Sequence, residues 1–521
     1  MSFFKVQSAQ AELISAHKIE IEVDISNGLY AFNIVGLGDK AVGEAKDRIS
    51  SAIKYSGFKS PKQKNQKVVI SLAPANKKKV GSSFDLAMAI GYLAASKEIL
   101  FDPKGRLFVG ELSLNGETHK TAGIMQIGAF AQKNNFTEIY VPFENAEEAG
   151  FAENIIVYPV KNLDELVLHL KKEKLIKPYT KISFKKTAEK ILNKKCVAVE
   201  NLQTKNISPT IDFSEIIGQE IAKRALLIAA SGKHNIAFYG PPGTGKSMLA
   251  RAFSGILPNL NKEEIIETTS IYSVSGLLKN NLVFEPPFRA PHHTSSYSAI
   301  VGGGLNIRPG EITLAHNGIL FLDELPEFDK RVINSLRQPL EEKQISISRT
   351  SDAINYPANF ILVAAMNPCP CGYYKTNIKN CVCSPNNIEN YQRKISGPII
   401  DRIDLWIEVN NLNQSEILKT KNINKESVST LYKKLATNCR EIQQRRNNKL
   451  NGELNNKELS AFNLSVDSEQ LLFQIFEKYK LSMRSFYKTI KVARTIADLE
   501  NSVEIKKPHI LEAVQFRYKK Y

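Results

Sequence analysis

The sequence predicts an α/β protein of several domains with a mainly parallel sheet at its centre. Three observations carry that prediction. Between Ile211 and about Asn411 short apolar strands alternate with helical patterns, as strands covered by helices require. Within that stretch a Gly-rich turn joins a strand directly to a helix. On either side the pattern changes: residues 1–180 mix strands and helices in an α+β arrangement, and residues 412–521 read as helical. At about 150 residues per domain, a chain of 521 residues has room for three or four.

In residues 1–180, extended segments at Ile19–Ile25, Tyr30–Val35 and Val68–Leu72 precede helical patterns at Asp39–Tyr55 and Phe84–Ala95. Gly116 and Pro142 punctuate the second half. Residues 181–209 are Lys- and Asn-rich with little periodicity, which reads as a linker or strap. The sheet domain follows at 210–411. The last segment, 412–521, has a polar interruption near Arg445–Lys457, and no fixed-period repeat stands out.

Composition is that of a globular protein, with 43% hydrophobic and 24% charged residues, and excludes collagen, disulfide scaffolds and wholly disordered chains. The longest apolar run, Leu86–Ala95, is too short to span a bilayer, and no secretory signal is evident at Met1–Lys5, so a cytoplasmic protein without a membrane partner is expected. The net charge of +17 suits a polyanion such as nucleic acid, although a Lys- and Asn-rich composition bias would also produce it.

The strongest chemical signal follows the apolar strand Asn235–Tyr239. Gly240, Pro241, Pro242, Gly243, Thr244, Gly245, Lys246 and Ser247 spell G-x-x-x-x-G-K-S ahead of the helical segment Met248–Phe253. Glycines let backbone amides curl around phosphates, and the helix N-terminus adds partial positive charge. Lys246 is expected to reach the β/γ-phosphates of ATP, and Ser247 to ligate Mg²⁺. A second apolar strand ends in Asp323 and Glu324; Asp323 would hold Mg²⁺ and Glu324 would polarise the attacking water. A third, Phe360–Met366, ends in Asn367, which either orients that water or merely starts the Asn-Pro turn.

Cys369, Cys371, Cys381 and Cys383 form one cluster, whereas Cys196 and Cys439 stand alone. In a reducing compartment four clustered cysteines suggest metal, and C-x-C, nine residues, C-x-C can close a tetrahedron around Zn²⁺. Four reduced structural cysteines or two disulfides remain alternatives. A closed four-ligand site would be structural.

The three nucleotide elements, in this order, resemble the AAA+ ATPases. Phe288–Thr294, Gly310–Gly318 and Ser396–Asp404 look like the magnesium-chelatase-like branch, and the chain is most similar to the ComM/YifB family of bacterial competence proteins. The resemblance covers essentially the whole chain. It implies a homohexameric, ATP-driven DNA motor acting on single-stranded or branched DNA, a helicase that promotes branch migration during natural transformation. It also gives the three segments identities: a Lon-protease-like N-terminal domain, an AAA+ core and a helical lid of magnesium-chelatase type. Arg402 matches the arginine finger that completes a neighbour's site, unless it simply pairs with Asp401 or Asp404. Arg484 matches the lid arginine that senses nucleotide.

Leu340–Arg349 runs a helix into a strand, and Asp352–Pro357 turns back. This resembles the hairpin that replicative helicases project into their pore, with Arg349 as the DNA-gripping residue. His292 and His293 could touch DNA, bind metal or pack. In the N-terminal domain Ser83 falls where a Lon protease has its nucleophile, but Met125 stands where the lysine base belongs, and a thioether takes no proton. A non-proteolytic domain is expected, with Lys120 the nearest spare amine. The rival readings are a magnesium-chelatase-type chaperone ATPase that remodels a protein partner, and an ATP-dependent protease, which Met125 disfavours.

Overall fold

The computed structural model describes residues 2–12, 15–63, 65–152, 154–179, 211–278, 282–304, 308–348, 353–376, 379–411, 427–459, 462, 464–479 and 482–517. The linker expected at 181–209 and the DNA-contacting candidate Arg349 lie outside them. The chain divides into two compact units, Met1–Leu202 with Ile265–Val283, and Gln203–Glu264 with Phe284–Tyr521. The expected α/β class holds, with parallel sheets and a helical C-terminal region.

In the first unit strands Ser2–Glu12, Ser15–Asn27 and Gln66–Ala73 run antiparallel, and Ala31–Val35 adds to the edge in parallel. Alternation explains the middle strand: Ile19, Ile21, Val23 and Ile25 are buried on one face. That face packs on the helix Asp85–Ala95, every residue of which is buried. A second, parallel sheet joins Arg106–Phe108, Glu138–Pro142 and Ile156–Val160. Lys120 pairs with the buried Glu148 at 3.6 Å, and among the described residues no hydrogen bond joins Ser83 to a lysine. One departure from the expected spans concerns Ile265–Val283, inside 210–411. It belongs to the first unit because Gln126 Nε2 donates to Ser270 O at 3.0 Å and the Gly123 amide to Ser273 Oγ at 3.2 Å.

The second unit is built on a five-stranded parallel sheet. Its order is Phe288–Arg289, Ile319–Leu322, Ile361–Met366, Ile236–Tyr239, Leu405–Glu408. The three central strands are buried at every residue, which is why they read as unbroken apolar runs. Helices Glu220–Gly232 and Lys246–Ile256 cover the sheet with Leu226, Ile228, Leu249 and Phe253. The C-terminal helices Val428–Asn447, Val466–Lys478, Met483–Leu499 and Lys507–Gln515 share this core through Ala436, Leu472, Ile490, Ile496 and Ile510. Among the described residues no helix is long and apolar enough to cross a membrane.

Candidate functional site

Parallel strands deliver their C-terminal ends to one edge of the sheet, and the nucleotide motifs meet there. The strand Ile361–Met366 lies between Ile236–Tyr239 and Ile319–Leu322, so Asn367 leaves the sheet between the Gly-rich loop and the Asp323–Glu324 pair. This is the placement that the water-orienting reading of Asn367 requires.

The loop's geometry explains its residues. A side chain at Gly240 would put a Cβ 2.1 Å from the Val409 carbonyl oxygen, so only glycine fits. Gly245, at φ 88°, caps the helix Lys246–Ile256 from the left-handed region. Lys246 folds back: its Nζ donates to Gly240 O and Pro241 O, both at 2.7 Å, and to Asn367 Oδ1 at 3.2 Å. Burial lowers its pKa to about 8, against the opposing pull of Asp323 and Glu324. Ser247 Oγ donates to Asp323 Oδ2 at 2.6 Å, which sets two hard oxygen ligands side by side, a donor set that fits Mg²⁺.

Glu324 sits at φ 52°, a strained turn that throws its carboxylate out of the strand. There its Oε2 lies 3.5 Å from His293 Nδ1. The His293 ring packs on His292, with centroids 4.2 Å apart, and edge-on against Phe328. The sequence left His293 with three possible roles; the partner it has, the Glu324 carboxylate, was not among them. No local signal links the two, because they come from separate crossovers of the sheet.

Arg402 does not pair with Asp401 or Asp404. Its guanidinium meets Glu341, and Nη1 donates to Pro398 O at 2.5 Å. Asp404 is taken instead by the Asn235 amide at 3.1 Å and by Lys488 at 3.4 Å. Burial would raise the Asp404 pKa, but Lys488 holds it below the usual carboxylate range. Asn235 locks the turn from the other side, donating Nδ2 to Arg402 O at 3.0 Å and accepting on Oδ1 from the Leu362 amide at 2.8 Å. Arg484 lies in the first turn of Met483–Leu499, whose N-cap is Ser482, and donates to Glu341 Oε1 at 2.7 Å. Among the described residues no hydrogen bond or ion pair links Arg402 or Arg484 to Lys246, Ser247, Asp323 or Glu324 of the same chain. The structure thus brings the two arginines together, on a carboxylate that the sequence had shown only as part of a helix.

The hairpin expected from the sequence is present as strands Gln344–Ser348 and Ala353–Pro357, paired antiparallel with Gln344 opposite Pro357. Cysteines 369, 371, 381 and 383 converge as well. Cys369 Sγ lies 3.3 Å from Cys371 Sγ and 3.7 Å from Cys381 Sγ, and Cys371 and Cys381 are 3.5 Å apart. All four ligand atoms fall within 4.8 Å of one another, and none is in a disulfide. A tetrahedral site with Zn–S near 2.3 Å needs sulfur–sulfur edges of about 3.8 Å, so the set fits. The same loop reaches the phosphate loop, since a Cβ at Gly372 would stand 2.6 Å from Pro242 Cδ.

Comparison with known proteins agrees with this geometry. Residues 212–417 match the family described as magnesium chelatase, subunit ChlI. Residues 21–145 match subunit ChlI of Mg-chelatase, and residues 426–517 its C-terminal family. The chain is 42% identical to competence protein ComM of Haemophilus influenzae, over 99% of this chain and 98% of that protein. It is 39% identical to YifB of Salmonella typhimurium over 99% and 97%. The magnesium-chelatase 38 kDa subunit of Rhodobacter capsulatus is 29% identical over 31% of this chain and 51% of its own length. With a complete phosphate loop, paired carboxylates and whole-length similarity at this level, the chain belongs to the ComM/YifB family of magnesium-chelatase-like AAA+ ATPases.

Proposed function

We propose that this protein is a cytoplasmic, homohexameric DNA motor that couples ATP hydrolysis to unwinding and branch migration when incoming DNA recombines during natural transformation. The observation that carries the reading is the whole-length identity to a protein named for competence, in a chain that has a complete G-x-x-x-x-G-K-S loop. Lys246 would meet the phosphates, Asn367 and Glu324 would position the water, and Ser247 and Asp323 would hold Mg²⁺, which neutralises charge on the phosphates when bound. Arg402 and Arg484, tied to one carboxylate and unbonded to their own phosphate loop, would both serve a neighbouring subunit. The hairpin, together with Arg349, would grip the DNA backbone without reading bases. The chaperone reading is supported less, because the relative named for competence matches 99% of the chain, whereas the magnesium-chelatase 38 kDa subunit of Rhodobacter capsulatus matches 31% of it.

Two measurements test this. Single-stranded or junction DNA should accelerate ATP hydrolysis and be unwound, with affinity falling steeply as salt rises and little dependence on sequence. A protein whose ATPase ignores DNA, or that prefers one duplex sequence at fixed salt, is not this motor. The four thiolates should hold about one Zn²⁺ per chain, as a structural site that braces the loop between Asn367 and the Arg402 turn. Elemental analysis of protein purified without chelator reads this directly. Less than about a tenth of a zinc, with Cys369→Ser leaving assembly and ATPase rate intact, ends the proposal.

A further inference from the structure

We infer that Glu341 is a positioning residue that restrains Arg402 and Arg484 together and yields them when the hairpin moves. The inference rests on the ATP-driven motor reading above and adds a control element to it. Glu341 Oε1 accepts from both guanidiniums, Arg484 at 2.7 Å and Arg402 through Nη2. The two cations hold the Glu341 carboxyl below its ordinary pKa, Arg402 more than Arg484. A cation in the first turn of a helix opposes the helix dipole, so Arg484 needs a carboxylate where it stands. Arg402 is enclosed, its side chain only 9% exposed, yet its buried Nε has no partner. Its donors are not exhausted by this arrangement, as expected of a group with a second place to bind.

The helix that carries Glu341, Arg337–Glu342, is fastened at three points. Gln338 grips the hairpin, accepting from the Ser346 amide at 3.2 Å and donating to Ser346 Oγ at 3.0 Å. Arg337 Nη2 donates at 3.1 Å to Ser396 Oγ, at the N-cap of the helix Gly397–Ile400 that leads into Arg402. Glu341 holds the two arginines. Lys343 follows directly, and its carbonyl accepts from the Ala358 amide at 2.8 Å, closing the hairpin's base. A displacement of the hairpin therefore reaches Glu341 through one short, rigid element. A neighbour's phosphate must compete with Glu341 for both arginines, and it can shift them only by its advantage over that carboxylate. Pulling the hairpin removes the competitor.

The test uses the full-length protein, with ATPase rates measured without DNA and with saturating single-stranded DNA. Glu341→Gln should raise the DNA-free rate roughly two- to fivefold, the size of a partly exposed charge contact. The stimulation by DNA should shrink by the same factor, and Glu341→Asp, which keeps the charge, should preserve both. Gln338→Ala removes the side-chain bonds that tie the helix to Ser346 of the hairpin but leaves the ion pairs. It should keep the wild-type DNA-free rate and lose stimulation, which keeps the inference testable if Glu341→Gln fails to assemble. Unchanged stimulation in Gln338→Ala overturns it. So does a Glu341→Gln protein with the wild-type DNA-free rate, or one as slow as Arg402→Ala. A wild-type ATPase that ignores DNA would instead refute the motor reading; the restraint itself would still be read from the DNA-free rate.

Discussion

Lys246 shows how much a single buried charge can report. With its ammonium satisfied only by carbonyls and Asn367, burial brings its pKa to about 8. Above that pH the empty site loses the proton, whereas bound phosphates favour the charged form. Binding of a non-hydrolysable ATP analogue near pH 8.5 should therefore take up protons, and affinity should fall as pH rises through 8. Calorimetry in two buffers of different ionisation heat reads the uptake; heats independent of buffer would contradict it. The phosphate loop and the cysteines were legible in the sequence because their chemistry is local: backbone amides must curl in a few residues, and C-x-C places two thiolates together. Glu341 and His293 were not legible. Arg484 reaches Glu341 from 143 residues away, and nothing in Leu340-Glu341-Glu342 marks one carboxylate as different from its neighbour.

Among elements, the helix Lys246–Ile256 shows why pattern alone located the core. Its buried positions Leu249, Ala250, Phe253 and Ile256 recur at helical spacing, and the face they form shares a core with strands such as Ile236–Tyr239 that are buried at every residue. Phe253 is fully buried in that layer, so Phe253→Ala should cost about 3–5 kcal/mol. The expected readout is a lower denaturation midpoint with ATP binding kept at low temperature; an unshifted midpoint would mean that the layer repacks. Periodicity served less well for Lys262–Val274. Thr268, Thr269, Ser270 and Ser273 are buried there, and bonds that no apolar pattern reveals hold the helix: Ser270 O accepts from Gln126 Nε2 and Ser273 Oγ from the Gly123 amide.

At the scale of the whole molecule the arrangement of charge and edge argues for an assembly. Glu324 follows Asp323, which is bonded to Ser247 of the chain's own Gly-rich loop, and Arg402 is bonded elsewhere. Glu324→Gln should bind ATP and turn over slowly, and Arg402→Ala should lose on the order of 10³ in rate, as loss of an arginine finger does. Mixed together, the two inactive proteins should regain activity, because some interfaces then combine an intact glutamate with an intact arginine. Mixtures as inactive as their components would count against shared sites. One strand ties these edges together. Ile236–Tyr239 carries the phosphate loop at one end, and Asn235, at its other end, is bonded to the backbone of Arg402 and to Asp404. Its four residues span about 13 Å and are hydrogen-bonded on both sides. In a ring this strand is a strut. A push on the loop by bound phosphate would arrive at the next subunit's chemistry undamped, so the order of firing around the ring would be written into the stiffness of a sheet and would need no flexible messenger.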